Sequence, residues 1–411
     1  MAKATPKRGK CVLLYSGGLD TSVIAHWLAR RGYEVICVTV DVGQQEDIHL
    51  ENKALASGAV KFVIKDMREP FVRSGVFQCL RWQAKYEGRY LLGTSIARPF
   101  MIQAAVEVAK AEGTTCIAHG ATGKGNDQCR FELGAYALLP GARILAPWRE
   151  AQFRALVSGR KEAIAYAAKH RIPVQASVQK PWSTDPNIQH RSHEAGELED
   201  PWRRPRDEML QLVTPPAKAP DKLETVELDF QRGYPVAING KQMGGVKLLG
   251  ELNAIAGRHG VGVVDMVENR FVGMKSRGVY EAPGATVLYE AHRDLEGITM
   301  DREVMRLRDT LAPTYAQLVY NGFWFSPAKE CLDAFIERAQ EDVTGKVRVE
   351  LYKGAARATG RKSPLSLYDE SIATMEAGGS YDQGDAAGFL RIQGLPVRVQ
   401  TALKERLAKR K

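Results

Sequence analysis

Apolar residues recur in two rhythms over roughly the first 170 positions of the chain. Short apolar runs occupy Cys11–Tyr15, Val35–Val40, Lys61–Ile64, Thr114–Ala118 and, more weakly, Arg143–Ala146. Runs of that length, rich in β-branched residues, suit strands buried on both faces. Between them lie stretches with a helical period: Val23–Ala29, His49–Ser57 closed by Gly58, one within Phe71–Glu87, Ala97–Ala111 and Ala151–His170. Ala97, Phe100, Met101, Ala104 and Val108 share one helix face, and Gly113 ends that helix. Alternation of this kind predicts a doubly wound α/β fold, a parallel sheet with helices on both sides and right-handed crossovers. Ligands of such sheets sit beyond the carboxyl ends of the strands, where the strand order reverses.

The rhythm changes near residue 180. Pro181, Pro186, Pro201, Pro205, Pro215, Pro216 and Pro220 punctuate a polar stretch with little period, which predicts loop and connection. Thr225–Phe230 then alternates as a half-exposed strand does, and Val236–Gly240 ends in a hairpin signal. Helices are predicted over Lys247–Arg258, Asp301–Leu311 and Pro327–Asp342, and strands over Val261–Val267 and Lys346–Leu351. This is a second domain of α+β type. From about Gly388 a last helical stretch carries Leu390, Ile392, Leu395, Val399, Leu403 and Leu407. A terminal stripe of this kind must be covered, by its own domain or by a partner subunit. The expected organisation is a disordered basic lead-in (1–10), an α/β domain (11–175), an α+β domain (176–365) and a helical tail for oligomerisation (366–411).

Composition narrows the class. At 44% hydrophobic and 26% charged, the 411 residues match a soluble globular protein with ample core. No apolar run approaches the roughly 18–20 residues of a membrane span. The basic start lacks the apolar segment of a secretory signal. None of the six cysteines forms a C-x-x-C pair, which argues against a zinc ribbon or redox dithiol. Cys11, Cys37 and Cys116 read as buried thiols, and a reducing cytoplasm is expected. The net charge of +10 admits nucleic acid or anionic small substrates. Much of it sits at the two ends, in Lys3, Lys7, Arg8 and Lys10 and in Lys404, Arg406, Lys409, Arg410 and Lys411. With Arg203-Arg204-Pro205-Arg206, these read as solvated segments, and neither nucleic acid nor membrane is expected as a partner.

The chemistry starts at Ser16-Gly17-Gly18-Leu19-Asp20-Thr21-Ser22, between the first strand and the first helix. Adjacent glycines let backbone pass close to an anion, since no Cβ intrudes. Free N–H groups and the helix dipole favour negative charge there. Ser16, Thr21 and Ser22 add hydroxyl donors. The Walker spacing is absent, yet strand, glycine turn and helix together predict a phosphate site, with ATP as its source. Two more glycine-bearing polar loops follow strands, Asp41-Val42-Gly43-Gln44-Gln45 and His119-Gly120-Ala121-Thr122-Gly123. Three such loops make one composite site.

The loop His119–Gln128, taken with Tyr15–Ser22, resembles the argininosuccinate synthase family. Tyr90-Leu91-Leu92-Gly93-Thr94-Ser95-Ile96-Ala97-Arg98-Pro99, the stretch Val267–Gly278, and Ser363-Pro364-Leu365-Ser366-Leu367-Tyr368 carry the resemblance further, from about residue 11 to about residue 395. The turn alone marks only the wider PP-loop group of ATP pyrophosphatases. The resemblance implies a carbon–nitrogen ligase of arginine biosynthesis that joins citrulline to aspartate, with AMP and pyrophosphate as products. It implies a citrullyl-AMP intermediate, Mg²⁺ accompanying ATP, and a homotetramer. By motif, Leu14, Tyr15, Ser16, Gly17, Gly18, Leu19, Asp20, Thr21, Ser22, Val40 and Gly120 match ATP positions. Tyr90, Ser95, Asn126, Arg130, Ser183, Ser192, Glu268 and Tyr280 match citrulline positions. Thr122, Asn126 and Asp127 match aspartate positions, so Asn126 touches both amino acids.

The residue types suit these roles: an arginine for a carboxylate, and a glutamate for an ammonium. Read without the family, Arg130 pairs with Glu132 on the surface, Tyr90 is a core aromatic, and Ser183 and Ser192 are linker serines. Lys124 assists phosphate or is solvated, and Asp20 caps its helix or approaches Mg²⁺ through water. The interior of Ser183–Ser192 departs from the family's pattern, which puts Ser192 below Ser183. The segment Asp200–Pro220 aligns poorly and yields no function.

Overall fold

The computed structural model describes residues 7–44, 48–174, 182–376 and 379–410. The first part of the basic lead-in (1–6), Gln45 of the second loop, Pro181 and the terminal Lys411 lie outside them. The chain divides into two compact units, Met1–Leu365 and Ser366–Lys411.

The first unit opens with five strands: β1 (Gly9–Leu14), β2 (Tyr33–Asp41), β3 (Lys61–Asp66), β4 (Cys116–Ala118) and β5 (Arg143–Leu145). Their order is β3-β2-β1-β4-β5, and every pair is parallel. Gly9 and Lys10, read with the lead-in, begin β1. Cys11–Leu14 and Val35–Val40 are wholly buried, as unbroken apolar runs require. The order reverses at β1, with β2 on one side and β4 on the other. That reversal opens a crevice at the carboxyl ends of β1 and β4.

Helix Leu19–Arg30 follows β1 after the glycine turn. Helix Gly93–Ala111 starts four residues before its predicted start, directly after Leu92 in the left-handed region (φ 65°). Asp127–Leu138, which no period announced, is a helix and carries Arg130 inward. The single helix expected over Ala151–His170 is two, Ala151–Leu156 and Arg160–Lys169. The break falls at Gly159, which is extended and caps the second helix; glycine is a poor interior residue of a helix.

Among the described residues the rest of the unit holds nine strands: β6 (Ser183–Pro186), β7 (Arg191–Glu194), β8 (Glu224–Gln231), β9 (Tyr234–Ile238), β10 (Lys241–Gln242), β11 (Val263–Asn269), β12 (Lys275–Glu281), β13 (Gly345–Tyr352) and β14 (Ala355–Lys362). They form two antiparallel sheets, β10-β9-β8-β13-β14 and β11-β12-β7-β6. β6 and β7 correct the expectation of plain loop after residue 180. Both are polar on both faces, so they lack the alternation that marks a strand. The helix Pro283–Thr299, deep in the core, also went unread. Helix Arg302–Asn321 continues well past the predicted end at Leu311, through Pro313.

These two helices are joined by a buried fork. Arg308 donates from Nη1 and Nη2 to the two carboxylate oxygens of Glu296, each at 2.6 Å, with both residues fully buried. Gln340 adds a bond to Glu296 at 2.8 Å. This fixes the helix whose far end places Tyr320. In the second unit, helices span Asp385–Gln393 and Leu395–Ala408, and Leu390, Ile392, Leu395, Val399, Leu403 and Leu407 are exposed. No helix among the described residues is long and apolar enough to cross a membrane.

Replacing Arg308 by Met takes from the Glu296 carboxylate its closest cation and leaves it Gln340 and the more distant Arg293 at 3.6 Å; breaking a buried pair by removing one partner costs about 3–5 kcal/mol. Urea unfolding of Arg308→Met is expected to show that loss; a midpoint equal to wild type contradicts it.

Candidate functional site

The Ser16–Ser22 turn is built by local geometry. Gly17 has φ +70°, and a Cβ there would meet Leu50 Cδ1 at 2.5 Å, so glycine is required twice over. The Ser16 and Thr21 hydroxyls lie 3.1 Å apart, and the Gly18 N–H reaches Ser16 Oγ at 3.4 Å. Behind them the Tyr15 hydroxyl and Ser22 Oγ are paired at 2.9 Å, and Thr39 Oγ1 donates to the Tyr15 carbonyl at 2.7 Å. A cleft of about 310 Å³ opens here. Leu14, Tyr15, Ser16, Asp20, Thr21, Val40 and Gly120 line it. Gly17, Gly18, Leu19 and Ser22 shape the turn without lining the cleft. A parallel-sheet crevice with hydroxyls and free N–H groups at its floor suits a nucleotide.

A second cavity of about 170 Å³ adjoins it. Six of the residues matched to citrulline line it, namely Tyr90, Asn126, Arg130, Ser192, Glu268 and Tyr280, as do Thr122 and Asp127. Two do not. Ser95 is fully buried in the first turn of its helix, and its Oγ has no hydrogen-bond partner. Ser183 is exposed on β6, opposite Glu194 and outside the cavity. Ser192 lines the cavity, and Ser183 stands across from the cavity-lining Glu194, exposed outside the lining.

Arg130 is buried and does not pair with Glu132. Its Nη1 donates to Asp127 at 2.7 Å and its Nε to the Tyr320 carbonyl at 2.9 Å. Glu132 instead meets His119 Nε2 at 3.1 Å and Arg149 at 2.6 Å. His119 Nδ1 accepts the Ala121 N–H at 3.2 Å, which fixes the loop carrying Thr122. Glu268 accepts hydroxyl bonds from Tyr320 (2.7 Å) and Tyr280 (2.9 Å). Tyr280 stacks on Tyr90 with centroids 4.3 Å apart. Burial raises the Glu268 carboxyl above its ordinary value, against the two hydroxyls and Arg130. The pocket therefore offers a guanidinium and a carboxylate in an aromatic frame, which suits a zwitterion. Lys124 is exposed; its carbonyl accepts from Arg270 at 3.2 Å.

Of the wall common to both cavities, Arg98 and Asp185 were not read from the sequence. Arg98 lines both, as do Asp127, Asp185 and Ala121. Arg98 donates to Asp127 (2.9 Å) and Asp185 (2.8 Å), and Thr94 Oγ1 donates to Asp185 at 3.0 Å. His190 Nε2 lies 3.0 Å from the same Thr94 oxygen, and burial lowers the His190 imidazole to about 3. Burial works against the Asp127 carboxylate, but Arg98 and Arg130 hold it down at about 2. Arg98 and Thr94 lie inside a motif already singled out, and Asp185 inside another, so charge within those motifs was the available signal. Tyr320, in the unread half of a helix, gave none.

Fold and site together define an enzyme that uses a nucleotide to act on a charged small molecule held beside it. Comparison with known proteins agrees and narrows the class. The family description "Arginosuccinate synthase N-terminal HUP domain" matches residues 10–173, and "Arginosuccinate synthase C-terminal domain" matches residues 182–400. The argininosuccinate synthase of Moorella thermoacetica is 52% identical over 399 residues, 97% of each chain. That of Caldanaerobacter subterraneus is 52% identical over 401 residues, again 97% of each. That of Nitratidesulfovibrio vulgaris is 52% identical over 391 residues, 95% of this chain and 98% of its own. The chain belongs to the argininosuccinate synthase family.

The raised Glu268 carboxyl gives a signed expectation. The folded protein binds its proton more tightly than the unfolded chain does. Its contribution to stability is therefore full below the ordinary carboxylate range and is lost as pH rises through the folded value. Glu268→Gln is expected to melt higher than wild type at neutral pH without ligand, with the advantage shrinking toward acid. Parallel melting curves across that range contradict it.

Proposed function

We infer that this chain condenses L-citrulline with L-aspartate at the expense of ATP, giving argininosuccinate, AMP and pyrophosphate, in arginine biosynthesis. The observation that carries the arrangement is the shared wall: a nucleotide cleft and a zwitterion pocket meet at Arg98, Asp127 and Asp185. In this reading the Ser16–Ser22 turn holds the β- and γ-phosphates of ATP, and Val40 and Gly120 contact the nucleotide. Arg130 and Glu268 bind the citrulline carboxylate and ammonium, with Tyr90, Ser192 and Tyr280 around its chain and Ser95 and Ser183 in supporting positions. Thr122, Asn126 and Asp127 hold aspartate.

The chemistry explains why ATP is spent. The ureido carbon of citrulline is a poor electrophile and its oxygen a poor leaving group. Attack of that oxygen on the α-phosphorus forms citrullyl-AMP and expels pyrophosphate. The aspartate amine then attacks the ureido carbon and expels AMP. The turn's N–H groups and hydroxyls stabilise the departing pyrophosphate charge. The two cavities hold three reactants in line, which converts encounters into a unimolecular step.

Among the described residues no cluster of three or more His, Cys, Asp or Glu side chains could hold a metal. The residues at the turn do fit Mg²⁺ carried by ATP, which takes one or two carboxylates, phosphate oxygens and water. Asp20 is the carboxylate there, with Ser16 and Thr21 beside it. Mg²⁺ would neutralise phosphate charge. We place the enzyme in the cytoplasm, as a homotetramer whose contacts include the exposed stripe of the tail.

Pyrophosphate release with each substrate omitted in turn tests the function. Release is expected only when both ATP and citrulline are present; release with ATP alone, or adenylation of RNA, overturns it. Arg130→Ala is expected to raise the KM for citrulline by about tenfold or more, roughly 1.4 kcal/mol of binding, with the KM for ATP near wild type. An unchanged citrulline KM removes Arg130 from the pocket. Truncation after Gly388 is expected to weaken the tetramer, and sedimentation of an intact one contradicts that.

A further inference from the structure

The amino-acid pocket has a floor that is itself held from behind. In the sheet β11-β12-β7-β6, Tyr280 stands opposite Ser192, Gly278 opposite Glu194, and Asp185 opposite Ser192. Successive residues of a strand point to opposite faces. Asp185, Ser192, Glu194 and Tyr280 therefore share the face that lines the pocket. Thr184, His193, Val279 and Glu281 share the other.

The segment Leu198–Val213, which overlaps the stretch Asp200–Pro220 whose sequence gave no function, lies on that other face. Leu198 and Met209 pack against Val279 in a small buried cluster. Arg277 donates to the carbonyls of Asp200 (2.7 Å) and Arg203 (2.8 Å) and is itself paired with Asp265. The Glu281 carboxylate, fully buried, accepts the N–H groups of Gln211 (2.9 and 3.0 Å), Leu212 (2.7 Å) and Val213 (2.8 Å). His193, also fully buried, sits with Nε2 2.8 Å from Glu281 and Nδ1 3.0 Å from the Thr184 hydroxyl. One carboxylate and one imidazole thus tie β6, β7, β12 and the segment together. Each is the immediate neighbour of a pocket residue: His193 lies between Ser192 and Glu194, and Glu281 follows Tyr280.

We propose that Glu281 and His193 are positioning residues for the citrulline-binding face, and that Leu198–Val213 is the strap through which they act. The proposal rests on the reading of this pocket as the citrulline site. Three backbone N–H groups converge on two carboxylate oxygens, and buried donors must be paired. An amide at position 281 offers one oxygen and turns hydrogens toward those donors. The strap must then shift, and Tyr280 shifts with the strand that Glu281 ends. Displaced Tyr280 and Ser192 hold citrulline less tightly, which raises its KM.

The test is steady-state pyrophosphate release by the full chain, with the KM for citrulline and for ATP measured separately and melting followed alongside. Glu281→Gln is expected to raise the citrulline KM about tenfold while the ATP KM moves less than about twofold. His193→Leu is expected to do the same. His193→Gln, whose amide nitrogen reaches toward Glu281, is expected to restore most of the loss. Arg277→Lys loosens the far end of the strap without touching Glu281, so it serves if the position-281 variant does not fold; the same split is expected. If the folded variants melt lower or lose kcat while keeping the wild-type citrulline KM, the proposal is overturned and the strap is structural only. Wild-type release of pyrophosphate without citrulline would instead overturn the underlying reading, so the two failures are distinct.

Discussion

The site depends on one guanidinium shared between two carboxylates. Arg98 reaches Asp127 and Asp185 at once, and Arg130 takes the other oxygen of Asp127. These four charges come from two helices and one strand, from positions 98, 127, 130 and 185. Removing any one leaves its partners short of compensation in a half-buried place, which is costly. The helices Gly93–Ala111 and Asp127–Leu138 and strand β6 are thereby fixed to one another. Apolar packing could join these elements as firmly. Charges kept at such a border are there for what lies on either side.

Around that border the aromatic residues set the dielectric. Tyr90, Tyr280 and Tyr320 surround Arg130 and Glu268, and Tyr86 stacks on Tyr320 with centroids 3.5 Å apart. The rings exclude water, while the hydroxyls of Tyr280 and Tyr320 satisfy Glu268. A charge on a ligand here meets fixed donors and acceptors in place of mobile solvent, which strengthens each contact. The close approach of His190 to this wall needs Gly93, where a Cβ would meet the imidazole at 2.5 Å.

The parallel sheet and its helices were legible because their residues obey one rule, burial on a regular period. The phosphate turn was legible because glycine spacing is dictated by local geometry. β6 and β7 were not, since a strand that serves a polar pocket on one face and a hydrogen-bonded strap on the other has no apolar alternation to show. Helix Asp127–Leu138 was hidden for a related reason: its inward residues include Arg130, a charge held by Asp127 and by the distant Tyr320. Family motifs recovered most of the pocket; Ser183 stands across from Glu194 on the same face of the sheet, exposed outside the cavity lining. Arg98, Asp185 and Tyr320 show the common limit. Their roles exist only between segments.

Those separations bear on how the protein is made. The turn, its sheet and most of the nucleotide cleft come from residues before about 145, whereas the amino-acid pocket waits for Glu268, Tyr280 and Tyr320. At about 5–20 residues per second, a growing chain spends on the order of ten seconds between the two. For that interval most residues of the first cleft and Arg130 have been made, and Tyr320, whose carbonyl Arg130 bonds, has not. The residues that line the first cleft emerge mostly early, and those that complete the second cavity emerge last.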